Sequence, residues 1–214
     1  PGDGAKERDL KQPILFDSWL DSLGTDQPFF TFFLLDAPHE PYSYPEEFVK
    51  FEPSVNDINY LSLDKHVDIE PFYNHYKNAV NYSDHVVGEF LDVVKKRDLL
   101  KNSIIIITSD HGAEFYEHGF WGHNSAFTKE QVMAPFILYL PGKDAKKIDA
   151  ITSHLDIAPT LLELMGSSTN HDNHSLGRSL LSNIEENRNF IVSSGWGESA
   201  IITEEATLVF STET

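Results

Sequence analysis

Short apolar runs alternate along this chain with stretches of helical spacing. From Phe29 to Leu35 every residue but Thr31 is apolar, the pattern of a strand buried on both faces. Ile104 to Ile107 and Pro135 to Leu140 repeat it, and Pro141-Gly142 stops the last run. Phe72, Tyr76, Val80, Val87, Phe90, Leu91 and Val94 recur at spacings of three, four and seven. They predict one amphipathic helix over about 71–97, with Pro71 in its first turn. Ile14, Leu15, Trp19, Leu20 and Leu23 predict a shorter helix over about 14–24. A third is expected from Asp156, as its cap, to about Met165, with Pro159 in the first turn and Gly166 just past the end. Phe190 to Val192, Ala200 to Thr203 and Thr207 to Phe210 read as a terminal meander.

Strands separated by helices argue for an α/β fold: a mostly parallel sheet flanked by helices, with a small C-terminal β meander. Residues 1–13, charged and broken by glycine and proline, read as an arm or linker, and 14–214 as one domain portion. Residues 43–70 form an excursion long enough to suggest a functional loop or lid, and 167–188 are polar and looped. In an open α/β sheet, sites gather beyond the carboxyl ends of strands. His39 follows the first apolar run there, and Asp110-His111 the second.

Composition narrows the functional classes. Of the 214 residues, 40% are hydrophobic and 23% charged, which is ordinary for a folded domain. Sixteen basic against 34 acidic residues give a net charge of -18, which repels nucleic acid and anionic lipid surfaces. A bound metal can still bring positive charge to an anionic substrate, so phosphate and sulfate chemistry stay open. The absence of cysteine removes disulfides, thiolate metal sites and cysteine nucleophiles from these residues. No apolar run approaches the roughly 20 residues needed to cross a bilayer. The chain starts at Pro1-Gly2-Asp3-Gly4 rather than at methionine, and is expected to be a piece of something longer.

The chemistry concentrates in TSDHGAEFYEHGFWGH, residues 108–123. Asp110 and His111 directly follow a strand, and a carboxylate plus an imidazole suit a divalent metal with open coordination positions. Taken alone, such a pair more often caps a turn. The surrounding residues change that balance. Ser109-Asp110-His111-Gly112, Glu117-His118-Gly119, Trp121-Gly122 and Ala134-Pro135-Phe136-Ile137 stand in the order of the sulfatase signature, within the alkaline phosphatase superfamily, which they closely resemble. Asn81-Tyr82-Ser83-Asp84 with Val87-Gly88 on the long helix, and Ser153 to Leu162 downstream, are similar to further sulfatase segments. The resemblance covers roughly residues 28–166.

That resemblance implies an α/β domain in which Asp110 and His111 bind a divalent metal (manganese, zinc, calcium or magnesium) that polarises a sulfate or phosphate oxygen. His39 matches a histidine that contacts the transferred group or a second metal. At 123 the ordinary sulfatases carry lysine, a fixed cation; His123 can instead hydrogen-bond the substrate or ligate a metal. A histidine at this position, twelve residues after 111, resembles the membrane-bound phosphoethanolamine transferases and moves the expectation toward phosphoryl or phospholipid-headgroup chemistry. The layout is also similar to membrane-anchored sulfatase-like proteins of the bacterial inner membrane. The expected setting is therefore the periplasmic face, with membrane attachment through further N-terminal segments.

The family's nucleophile and a further metal carboxylate have no match here, and Asp3 and Asp9 lie in the arm rather than after a strand. The chain is thus expected to be the C-terminal part of a catalytic domain, weak or inactive alone. The rival expectation is a non-catalytic sensor or binding module that keeps the fold. Glu114 and His118 fit either a partner orienting a ligand or a local turn. His66 and His75 are expected at the surface, His85 toward solvent, His171 and His174 in a polar loop, and His154 in a structural role.

Overall fold

The long helix forms as α2, Glu70–Lys96, with Pro71 in its opening turn. The computed structural model describes residues 4–24, 27–60, 63–64, 66–167, 175–181 and 188–212, so Asp3, His171 and His174 lie outside the described residues, as does much of 167–188. The chain divides into two compact units. One comprises Pro1–Thr108, Phe115–Trp121 and Phe136–Lys143, the other Ser109–Glu114, Gly122–Pro135 and Asp144–Thr214.

In the first unit, α1 spans Ala5–Leu20 with Pro13 inside it. The stretch read as an arm is therefore helical. Its polar first half is held by tertiary partners that periodicity cannot register. Asp9, 1% exposed, accepts hydrogen bonds from Asp36 N and Ala37 N, the closest at 2.7 Å. Tyr82 Oη donates to Lys6 O at 2.6 Å, and Gln12 Nε2 to Leu34 O at 2.9 Å. The core gathers Ala37, Tyr82 and Val86, with Leu35, Tyr44, Phe48 and Phe90 packed against them.

The buried face of α2 is not the expected stripe. It carries Asn74, His75, Asn78, Ala79, Tyr82 and Val86, whereas Val80 is exposed. The polar members serve the 43–70 excursion, whose irregular main chain needs partners. Asn78 Oδ1 accepts from Lys50 N and Phe51 N, and Asn74 Nδ2 donates to Pro53 O, each at 2.9 Å. His75, expected at the surface, is 6% exposed. Its Nε2 donates to Pro41 O at 3.0 Å, because a carbonyl only accepts, which leaves Nδ1 to accept from Tyr44 Oη at 2.7 Å. Burial holds its imidazole below the ordinary histidine value.

The strand expected over Phe29–Leu35 joins no ladder. One face packs: Phe33 meets Phe90 with ring centroids 4.2 Å apart and Phe16 at 5.1 Å. The other face, Phe30, Phe32 and Leu34, is open. Among the described residues, the only main-chain group from Pro28 to Leu35 with a hydrogen bond is the Leu34 carbonyl. The second and third runs pair as β1 (Ile105–Thr108) and the later strand β4 (Phe136–Tyr139), antiparallel, with Ile105 opposite Tyr139 and Thr108 opposite Phe136. The mostly parallel sheet is therefore not what these runs form here. A parallel arrangement needs a neighbour to the first run, and no described segment supplies one.

In the second unit, the expected helix forms as a 3-10 turn, His154–Asp156, continuing into α4, Ile157–Leu164. The capping side chain is Ser153, not Asp156. The Asp156 carboxylate instead accepts from Ser153 N, from Arg178 N and from both terminal nitrogens of Arg188, at 2.6–2.8 Å. The meander forms as expected: β5 (Ile191–Ser194), β6 (Glu198–Ile202) and β7 (Thr207–Ser211), antiparallel in sequence order. Among the described residues, no helix is long and apolar enough to cross a membrane.

Candidate functional site

Asp110, His111 and His123 all belong to the second unit, where the chain is mostly loop. After β1 come bends and open turns, then the two-residue strands β2 (Glu114–Phe115) and β3 (Trp121–Gly122), a run of bends to Ser125, and a single helical turn, α3, Lys129–Val132. Side chains carried on such segments owe their positions to hydrogen bonds rather than to a long element.

His111 is oriented first by its own turn. Its Nδ1 lies 2.8 Å from Gly112 O, and since a carbonyl only accepts, Nδ1 carries the hydrogen. Nε2 then faces Asp110 Oδ2 at 3.6 Å. The other carboxylate oxygen of Asp110 accepts from His111 N at 3.0 Å. A histidine whose one nitrogen donates to a backbone carbonyl presents the other as a ligand. Two ligand atoms 3.6 Å apart can share one ion at metal–ligand distances of about 2.0–2.2 Å. The donor set of a carboxylate and an imidazole therefore fits a divalent metal, with both side chains open to solvent. Among the described residues, no group of three or more histidine, aspartate or glutamate side chains could hold a metal, and Asp110 and His111 stand as a pair.

His123 joins His111 by stacking: the ring centroids are 4.0 Å apart and the planes 20° from parallel. The rings lie face to face, so His123 is placed beside the Asp110–His111 pair. Gly112 is required where it stands, because a Cβ would overlap the Glu130 carbonyl oxygen. Its N donates to Gln131 O at 2.9 Å. Glu114, left open between two roles by sequence, is fully buried and accepts from Thr128 Oγ1 at 2.6 Å and Gln131 Nε2 at 3.1 Å. His118 is exposed.

His39 belongs to the first unit, on the turn that follows the unpaired apolar run, and its side chain is exposed. Its Nδ1 lies 2.8 Å from Glu40 O. That turn is anchored at its start by Asp9 and at its end by His75 on Pro41 O. Glu40 ties it down further: its Oε1 accepts from Tyr42 Oη at 3.0 Å and Trp121 Nε1 at 2.8 Å. Burial pushes the Tyr60 hydroxyl up to about 12, with the Glu40 charge adding to the shift. Burial followed by Glu40 also raises Tyr42.

Sequence reasoning placed Asp9 in an arm and His75 at the surface, and did not single out Glu40 or Gln131. The position of Glu40 between His39 and Pro41, inside the His-x-Pro stretch, is the signal that could have flagged it. Nothing in the hydrophobic pattern marks Asp9 or Gln131.

A family model described as Sulfatase matches residues 10–167. A sulfatase of Formosa agariphila is 30% identical over 168 residues, covering 65% of this chain and 33% of its own length. The lipoteichoic acid synthase-like protein YvgJ of Bacillus subtilis is 27% identical over 167 residues, covering 73% of this chain and 25% of its own. The phosphonate monoester hydrolase of Agrobacterium radiobacter superposes with a TM-score of 0.78 at 19% identity, over 99% of this chain and 54% of that one. The chain thus spans about a third or less of these two curated relatives, and about half of the solved structure.

Proposed function

The chain belongs to the sulfatase family, and on that premise we propose that it contributes to a metal-dependent hydrolase or transferase of sulfate or phosphate esters. The observation that carries the reading is the 3.6 Å separation of Asp110 Oδ2 from His111 Nε2, with Nδ1 committed to Gly112 O. Asp110 and His111 would hold a divalent metal: manganese, zinc, calcium or magnesium. Bound there, the ion supplies positive charge to an ester oxygen of the substrate.

The chain's own residues do the remaining work assigned here. Asp110 contributes negative charge, and with Nδ1 holding the ring hydrogen His111 offers a neutral nitrogen. His123, stacked on His111, donates a hydrogen bond to the transferred group or its leaving oxygen, and His39 does the same from its own turn. A protonated histidine is a titratable cation where a lysine would be a permanent one. That difference favours phosphate esters, including lipid or lipopolysaccharide headgroups, over ordinary sulfate esters. The mostly parallel sheet of the intact fold, a periplasmic setting and attachment to the inner membrane belong to the same proposal. Similarity over 73% of the chain to YvgJ, a lipoteichoic acid synthase-like protein, supports the transferase side of it.

The test is activity of the complete protein on generic phosphodiester, phosphomonoester and sulfate-ester substrates, with manganese or zinc added and then chelated. Metal-dependent turnover, highest on a phosphate ester and lost in Asp110→Ala, is expected. Metal binding without turnover on any ester would instead indicate the non-catalytic sensor.

A further inference from the structure

Gln131 occupies a position that the assigned chemistry does not use. It sits on the single turn α3 and is 3% exposed. Its main-chain oxygen accepts from Gly112 N at 2.9 Å, the residue after His111. Its side-chain Oε1 accepts from Ser125 N and Ala126 N, both at 3.2 Å, in the loop after His123. Its Nε2 donates to Ser125 Oγ at 3.0 Å and to Glu114 Oε2 at 3.1 Å. A glutamine amide offers two donor hydrogens and two acceptor lone pairs, and all four are used. Glu114, itself fully buried, takes a further bond from Thr128 Oγ1 at 2.6 Å.

One residue thus joins the two segments that carry His111 and His123, and neither segment has a long helix or strand to hold it. Burying a carboxylate and an amide costs more than filling the same space with leucine unless each polar atom is satisfied. Such a pair brings directionality that an apolar filling lacks, and a loop-borne site needs it to hold its side chains to a fraction of an ångström.

We propose that Gln131 is the positioning residue of this site, with Glu114 as its anchor, and that the pair sets the spacing of His111 and His123. The metal-binding part of its consequence rests on the functional reading above. The geometric part does not.

The intact protein tests both parts. Manganese affinity is measured by titration calorimetry, and the ring-proton shifts of His111 and His123, which stacked rings move upfield, are read by NMR. In Gln131→Leu the stacking shifts collapse and manganese affinity falls about tenfold or more, the usual scale for removing a residue that orients ligands. Glu114→Leu behaves likewise, while Glu114→Gln, which keeps an acceptor oxygen for Thr128 and Gln131, restores parental values. If Gln131→Leu does not fold, Thr128→Val and Ser125→Ala decide, since each removes a single bond of the network. They are expected to reduce the ring shifts and weaken manganese binding with the melting midpoint nearly kept. Parental ring shifts and parental affinity in the folded variants would overturn the proposal. A parent that binds no manganese would sink the metal reading alone, and the ring shifts would still judge the clip.

Discussion

Phe29–Leu35 and the segment from Asp110 to Gln131 meet the same physical requirements and come out opposite. The first is an almost unbroken apolar run, yet Phe30, Phe32 and Leu34 are 81%, 77% and 69% exposed. The second is mixed, polar and glycine-bearing, yet it buries Glu114 and Gln131 with their bonds made. Among the described residues, no buried side-chain nitrogen or oxygen lacks a partner. Burial here follows whether a segment's partners are present in the same unit, not how hydrophobic the segment is. An apolar run cannot satisfy its own main chain, whereas a well-matched polar cluster can.

The buried networks of the second unit can be broken most forcefully at Asp156, 1% exposed and bonded to Arg188 through both carboxylate oxygens. Asp156→Ala should cost about 3–5 kcal/mol, because it strands a guanidinium with little access to water, and chemical denaturation would show it. Asp156→Leu combined with Arg188→Met should recover only part of that loss, because Ser153 N and Arg178 N stay without their acceptor; full recovery would show that those two bonds contribute nothing. Gly112→Ala comes next, at about 1–3 kcal/mol, since the new methyl group must displace the main chain of α3.

The open run supplies the contrast. Phe32→Ser and Leu34→Ser should change stability by no more than about 0.5 kcal/mol, while reducing dye binding and self-association of the chain. A loss near the about 3–5 kcal/mol of a core phenylalanine would show that the run is covered after all.

The smallest effect concerns His75, held below its ordinary value of 6.5 by burial. The unfolded chain protonates near that value while the folded one stays neutral. The contribution of His75 to stability is thus complete above about pH 6.5 and is lost as pH falls from there through the folded value. His75→Gln should flatten that part of the stability–pH curve; an unchanged slope would assign the titration elsewhere.

The contrast also explains what could be read in advance. α2, α4 and the three-stranded meander were legible because helical spacing, Pro71, Gly166 and the short apolar runs near 190–192, 200–203 and 207–210 are local signals. Of the four residues singled out for chemistry, His111 and His123 lie together with their rings stacked, Asp110 adjoins His111, and His39 stands in the first unit; their roles belong to the proposal. The buried face of α2 was not, because Asn74, His75 and Asn78 are inside only by virtue of the loop groups they bind. Asp9 escaped for the same reason, since its partners lie 27 and 28 positions away. Phe29–Leu35 misled in the other direction: its pattern describes a strand with neighbours on both sides, and in the described residues it has none.

The central claim is that Asp110 and His111 jointly hold a divalent ion, and titration of manganese into the protein by calorimetry tests it most directly. The parent should bind one ion, and Asp110→Ala and His111→Ala should each lose at least about tenfold in affinity with the fold intact. Parental affinity in both variants would contradict the assignment.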